Sequence, residues 1–392
     1  MYNDLIISTH VFHFFILLLK PQNCFWYGFF CQQNVILVYA KKGANIFNRK
    51  ITRTDIRAAK VYGVQFVRIA PDKFRSSKKD FLMGNADHYA CLVPEDLAEL
   101  KKVLDMCAEE GMPIVLTMLS LPGTRWKQHN KNRHDLRLWT DKKMKKQAIQ
   151  FWQDLAKELK DHPIVVGYNL LNEPALERVW VKTNEINEVK HPLVQQTLFQ
   201  FYREVIDAIR AIDKKTPIIV DSSARADPQT FKNLMPQSDD KLLYSFHMYE
   251  PYAYTNHRIN KGRFGYPGMI DGIYWNKGTL EDHMKEVVFF QKKYKIPRNR
   301  ILVGEFGCYR KTKGICQYFK DLIDIFNKNG WHFAFYAFRE DTWSGMDYEL
   351  GEQKLPWNYR QIKKDPDPVL SFEVAPAVFK VLLNAQMIHE KR

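Results

Sequence analysis

From residue 35 onward, short runs of β-branched and aromatic residues alternate with longer stretches in which apolar side chains recur every three or four positions. The short runs predict strands over residues 35–44, 64–69, 113–119, 164–171, 217–220, 242–247, 301–306 and 331–338. Several are apolar without alternation, as in Ile301-Leu302-Val303, the pattern of a strand buried on both faces. The longer stretches predict helices over 52–62, 94–111, 142–162, 192–213, 227–234, 280–294 and 315–329, with a last one over 376–386. In the 142–162 segment Met144, Ala148, Phe151, Trp152, Leu155 and Leu159 share one face, broad enough to cover a sheet. Pro94-Glu95-Asp96 opens one helix with proline and acids, and Gly111-Met112-Pro113 closes it before the next strand. A strand followed by a helix, eight times over, implies an α/β fold: one closed parallel (β/α)8 TIM barrel over 35–392.

Composition agrees with a large core. Of 392 residues 45% are hydrophobic and 26% charged, with 18 glycines and 18 prolines, which excludes collagen-like, coiled-coil and disordered chains. The net charge of +15 is spread along the chain. Its densest stretch, 127–146, is interrupted by Asp135 and Asp141 and has no zinc-ligand or aromatic RNA-binding pattern, so no nucleic-acid partner is expected. Six cysteines, with no CxxC pair, are too sparse for a disulfide scaffold. Residues 5–19 form an apolar run closed by Lys20, shorter than the roughly 20 residues of a spanning helix. Asp4 stands before this run, and a second apolar stretch over 24–40 follows it. Residues 1–34 therefore read either as a signal or anchor segment or as an apolar N-terminal extension. Stable membrane association is not expected, and a monomer is.

In a barrel of this type chemistry gathers where the strands end, so polar residues closing an apolar run are the candidates. Two carboxylates stand out: Glu173 ends the fourth strand in Leu171-Asn172-Glu173-Pro174, and Glu305 ends the seventh in Gly304-Glu305-Phe306. Strands four and seven face each other across a barrel mouth, where two acids can flank one scissile bond. Arg68, in Val67-Arg68-Ile69, and His247 and Tyr249, in His247-Met248-Tyr249, close the second and sixth strands. Each has a plainer reading, Arg68 as a structural ion pair, His247 as a core histidine and Tyr249 as packing. Asp221 reads as a loop or helix-start residue, and Cys308 as a small buried one.

With these motifs in this order the sequence resembles glycoside hydrolase family 5, the cellulase family. The resemblance implies a retaining O-glycosyl hydrolase of β-linked glucans, of endo-β-1,4-glucanase type, with Glu173 as general acid/base and Glu305 as nucleophile. It also implies that Arg68 and Tyr249 hold Glu305 ionised, that Asn172 grips the sugar 2-hydroxyl and that His247 orients the pair. The same two glutamates serve β-mannanases and other β-glycan hydrolases, and a carbohydrate-binding barrel without activity is a further alternative. No cofactor or catalytic metal is implied. Secretion is favoured by that function, though the N-terminal segment leaves it open.

Two positions depart from the family pattern. Leu119 stands where the third strand usually ends in histidine, a contact then missing or supplied by His129 or His134. On the eighth strand Tyr336 or Phe338, with Trp343 following, replaces the usual tryptophan platform. Arg125, Trp126, Trp139, Tyr252, Tyr254, Trp275 and Trp343 follow strands on the active face and are expected to meet the glycan, with Trp126, Trp275 and Trp343 as the stacking rings.

Overall fold

The computed structural model describes residues 40–183, 192–363 and 367–387. The 1–34 segment, residues 35–39 of the first predicted strand, Cys24 and Cys31 lie outside them. All eight expected strands are present, most of them shorter than the sequence runs: β1 (Lys42–Ile46), β2 (Phe66–Ile69), β3 (Ile114–Thr117), β4 (Val165–Asn169), β5 (Ile218–Asp221), β6 (Leu242–Met248), β7 (Ile301–Phe306) and β8 (His332–Phe335). Every neighbouring pair is parallel, and β8 pairs with β1 to close the barrel.

The helices begin and stop where local chemistry directs. Thr52 and Asp55 form a reciprocal capping box at the start of α1 (Arg53–Val61). Pro94 opens α2 (Pro94–Glu110), and Gly111, at φ 67°, ends it in the left-handed region. Asp141 caps α3 (Lys142–Leu159), whose predicted apolar face is buried. Then follow α4 (Pro192–Arg210), α5 (Lys285–Tyr294), α6 (Ile315–Asn329) and α7 (Ala377–Met387). Two predicted helices differ. Residues 227–234 make a 3-10 turn, Pro228–Asn233, capped by Asp227, and the run at 280–294 is divided at Met284 into Lys277–His283 and α5.

Two main cores result, with a third, small cluster of Phe47, Ala70 and Leu119 at the mouth. The larger fills the space between strands and helices. The smaller is a plug inside the barrel, one residue from each of seven strands: Phe66, Val115, Val166, Ile219, Leu243, Leu302 and Ala334. Because side chains alternate across a strand, the next inward position lies two residues further on. That step leads from Phe66 to Arg68, from Val115 to Thr117, from Ile219 to Asp221, and from Leu243 through Ser245 to His247. A polar layer thus sits directly on the apolar plug at the C-terminal ends of the strands.

Candidate active site

Arg68 is fully buried in that layer and organises it. Its Nη1 donates to Asn45 Oδ1 (2.6 Å) and to the Gly304 carbonyl (2.7 Å), and stands 3.4 Å from Glu305 Oε1. Its Nη2 donates to Asn169 Oδ1 (2.7 Å) and Asn172 Oδ1 (3.0 Å). One guanidinium therefore links β1, β2, β4 and β7, a task for which its planar fork of donors is suited. Glycine at 304 is required by close approach: a Cβ there would lie 2.7 Å from Ser245 Oγ and 2.9 Å from His247 Nε2. At the same level a register shift between β6 and β7 sets Glu305 opposite His247.

Glu305 is 5% exposed, and its second oxygen accepts from the Tyr249 hydroxyl at 2.8 Å. Glu173 is less enclosed. Its Oε1 lies 2.9 Å from His247 Nδ1, and its backbone holds the left-handed conformation at φ 51°, unusual outside glycine. Oxygens of Glu173 and Glu305 and a ring nitrogen of His247 all lie within 4.8 Å of one another. By donor type the three could meet a cation, but the Arg68 guanidinium already supplies positive charge to Glu305.

Asp221 is not the loop residue the sequence suggested. It ends β5 buried, accepts from Asn169 Nδ2 (3.1 Å) and from the Glu173 backbone N–H (3.1 Å), and stands 3.5 Å from His247 Nε2. It fixes the backbone of one carboxylate and faces the imidazole that touches the same carboxylate. Asn45 and Asn169, both ligands of Arg68, were likewise missed as site residues. The available signal was the two-residue step from an inward apolar side chain, which marks Asp221 as clearly as Arg68.

Burial pushes the Glu305 carboxyl above its usual range; His247, Arg68 and the Tyr249 hydroxyl oppose the rise, and the charge of Glu173 adds to it. For His247 burial favours the neutral ring, yet the surrounding carboxylates Glu305, Glu173 and Asp221 outweigh it and raise its pKa. Burial and the negative charge of both glutamates keep the Tyr249 hydroxyl protonated, hence a donor. Burial also pushes the Cys308 thiol up to about 12, consistent with an inert core residue.

The expected stacking rings separate. Trp126 is half-buried and packs with Phe47, Ala70, Leu119 and Tyr336 at the mouth. Trp275 is a core residue, 8% exposed, on a hairpin strand (Ile273–Trp275) after β6, so the aromatic signal there was one of packing. Trp343 joins His257 (5.6 Å between rings) and Trp357 (6.1 Å) in an aromatic group over the loops after β6 and β8. Tyr336, rather than Phe338, takes the strand-eight position. Its ring meets Phe47 edge-on at 5.7 Å and its hydroxyl donates to Glu340, whereas Phe338 is buried against Tyr62. Of the loop residues, Arg125 is buried in ion pairs with Asp80 and Asp87, and Tyr254 is core.

Leu119 stays at the end of β3, its N–H held by the buried Asp72 carboxylate (2.8 Å). A cleft of about 410 Å³ opens beside it, lined by Trp126, Trp139, Asn172, Glu173, Arg225 and Arg258 among others. His134 also lines this cleft and His129 does not.

A closed parallel barrel with polar residues gathered over a buried arginine at its strand ends is a scaffold shared by many enzymes. The sequence profile described as Cellulase (glycosyl hydrolase family 5) matches residues 18–342, and the chain belongs to that family of O-glycosyl hydrolases. It is 22% identical to endoglucanase C of Acetivibrio thermocellus over 343 residues, 81% of this chain and 86% of the relative. Among solved structures it is similar to Thermotoga maritima Cel5A in complex with cellobiose, with TM-score 0.60, 20% identity and 91% of this chain and 99% of that one covered. A mannotriose complex of the same enzyme has TM-score 0.61, 18% identity and coverage of 92% and 99%.

Proposed function

We propose that the protein is a retaining endo-β-1,4-glucanase in which Glu173 is the general acid/base and Glu305 the nucleophile. The observation that carries this reading is the separation of the carboxylates, whose oxygens lie within 4.8 Å. Retaining pairs stand about 5–5.5 Å apart, while inverting pairs need about 6.5–9.5 Å to admit a water. The name of the endoglucanase relative supports the substrate class.

In a retaining pair the acid/base holds a proton at rest and the nucleophile is ionised. Arg68 and Tyr249 both donate to Glu305, favouring the charge there. Glu173 can accept from His247 on Oε1 and keep the proton on Oε2. In the first step Glu305 attacks C1 as the glycosidic C–O bond breaks, and Glu173 gives its proton to the departing oxygen. The resulting ester removes the charge of Glu305, and Glu173 changes from acid to base for the second step. Glu173 then takes a proton from water, the hydroxide oxygen bonds to C1, and Glu305 leaves as carboxylate with net retention. Because Arg68 holds Asn172 by its Oδ1, the amide N–H groups of Asn172 are left to donate to the 2-hydroxyl.

The test is release of reducing ends from cellulose derivatives, β-mannan, xyloglucan and β-1,3-glucan, with the anomer of the first product read by NMR. Cleavage of the cellulose derivatives with a β-anomeric product is expected; an α-anomer would overturn the assignment, and preference for β-mannan would move the substrate class.

A further inference from the structure

We propose that the cleft on the Glu173 side binds an anionic saccharide, so that the preferred substrate carries carboxylate or sulfate groups on the leaving-group side of the scissile bond. The inference rests on Glu173 being the acid/base, because the acid stands beside the departing sugar. The cleft wall contains Glu173 and Asn172 but not Glu305, which places it on that side.

Its free charge is mostly positive: beside Glu173, the one other acid of the lining is Asp135, and Lys127, Arg225 and Arg258 are the uncommitted cations. Lys127, His134, Arg225 and Arg258 are exposed along the wall, and among the described residues none of the four forms an ion pair. The acids nearby are already committed: Asp135 to Arg137, and Asp80 and Asp87 to Arg125. Lys127, Arg178 and Arg225 lie near enough to His134 to act on its charge state, a measure of how closely the cations gather. A neutral glucan asks nothing of such a wall, since aromatic faces and amides suffice for it, and Trp126 and Trp139 supply those faces here. A concave wall with an excess of free cations concentrates anions, and guanidinium groups pair with carboxylate or sulfate oxygens in a fork.

A second observation concerns backbone. Ala224, Arg225 and Ala226 are consecutive non-glycine residues at φ 53°, 62° and 60°, a left-handed turn of the kind that persists where the surroundings hold it. The Arg225 N–H donates to the Pro174 carbonyl (3.1 Å), so the strained turn is tied to the segment bearing Glu173, itself at φ 51°. The fold accepts unfavourable backbone to hold an unpaired arginine at the rim of the catalytic cleft.

The experiment compares kcat/KM on carboxymethylcellulose with that on hydroxyethylcellulose of matched substitution, in low salt and in about 0.5 M salt, where the screening length falls well below the ~10 Å of ~0.1 M. The expected result is a preference of about tenfold for the anionic polymer that shrinks in salt and in Arg225→Gln/Arg258→Gln. The preference should survive in Lys292→Gln/Lys293→Gln, which removes the same charge from exposed positions at the far end of α5. A ratio near one, or an equal fall in both double variants, overturns the proposal. Retention of the wild-type protein in native gels containing either polymer is measured in parallel. If neither polymer is cut, the endo-β-1,4-glucanase reading has failed, and the gels decide the inference alone: stronger retention by the anionic polymer that Arg225→Gln/Arg258→Gln abolishes upholds it, and equal retention overturns it.

Discussion

The two carboxylates of the site stand in opposite surroundings. Glu305 is enclosed on a strand, with Arg68 and Tyr249 on its two oxygens and a second cationic group, His247, 3.8 Å away. Glu173 lies four residues past the end of β4, on left-handed backbone, with one side-chain partner and an open cleft before it. In the proposed roles the contrast has a use: a nucleophile held still and charged suits the barrel wall, and an acid/base that exchanges its proton with leaving group and water suits the edge of solvent. The same residue type thereby acquires two tasks from environment alone.

The sharpest way to break this comparison is to remove each acid in turn. Glu305→Ala should lower kcat by about 10⁴-fold or more on every substrate, and azide should restore turnover with an α-glycosyl azide product. Glu173→Ala should lose about 10²–10⁴-fold on substrates with poor leaving groups, much less on aryl glycosides with good ones, and azide should then yield the β-product. Exchange of these two patterns would reverse the assignment.

Next in size is the support of Glu305. Arg68→Lys keeps the charge but cannot serve Asn45, Gly304, Asn169 and Asn172 together. It should cost about 3–5 kcal/mol in urea unfolding, the price of stranding buried polar partners, with a fall in kcat exceeding any rise in KM. A stability unchanged within error would show that the arginine layer is not what holds the strand ends.

The pH profile sharpens the comparison further. Glu305 must be ionised to attack and its folded pKa is raised by burial, so kcat/KM should fall as pH drops through a value above the ordinary carboxylate range. His247 pulls that pKa down; in His247→Gln the acid limb should move to higher pH, by roughly one unit for each 1.4 kcal/mol of attraction lost. A limb that moves to lower pH would mean that His247 acts on Glu173 instead.

The smallest effect concerns the segment that carries Leu119. Burial raises the Asp72 carboxyl to about 7, although it accepts from the N–H groups of Leu119 and Ser120. An acid whose pKa is higher folded than unfolded binds more protons in the folded state between the two values. Stability should therefore fall as pH rises from about 4 to about 7, and Asp72→Asn should flatten that slope in thermal melts at successive pH values.

The periodic segments were legible because they depend on neighbours in sequence. The α3 face, the Pro94 and Gly111 boundaries and the eight buried runs need only the 3.6- and 2-residue periods and local backbone preference. Glu173, Glu305, Arg68, His247 and Tyr249 were legible for a related reason: a charged or polar residue closing an apolar run has few structural uses. The structure brings these residues together, with Asn172 held by Arg68. Trp275 misled because a ring after a strand reads alike whether it faces a ligand or fills a gap, and only the packing of the hairpin decides. The helices expected over 227–234 and 280–294 gave way to a 3-10 turn and a break at Met284, where caps and the barrel wall outweigh periodicity.

By itself the sequence determined the repeating strand and helix pattern, the closure that pattern implies, and which residues at the strand ends carry charge. Tertiary structure alone decided that Asn169 belongs with them, that Tyr336 rather than Phe338 reaches the mouth, and that cations of three separate loops meet in one cleft. The reason is one of range. Periodicity and capping act over a few residues, whereas the register shift opposite Glu305, the close approach at Gly304 and the electrostatic environment of each acid arise only when segments distant in sequence are brought within a few ångströms.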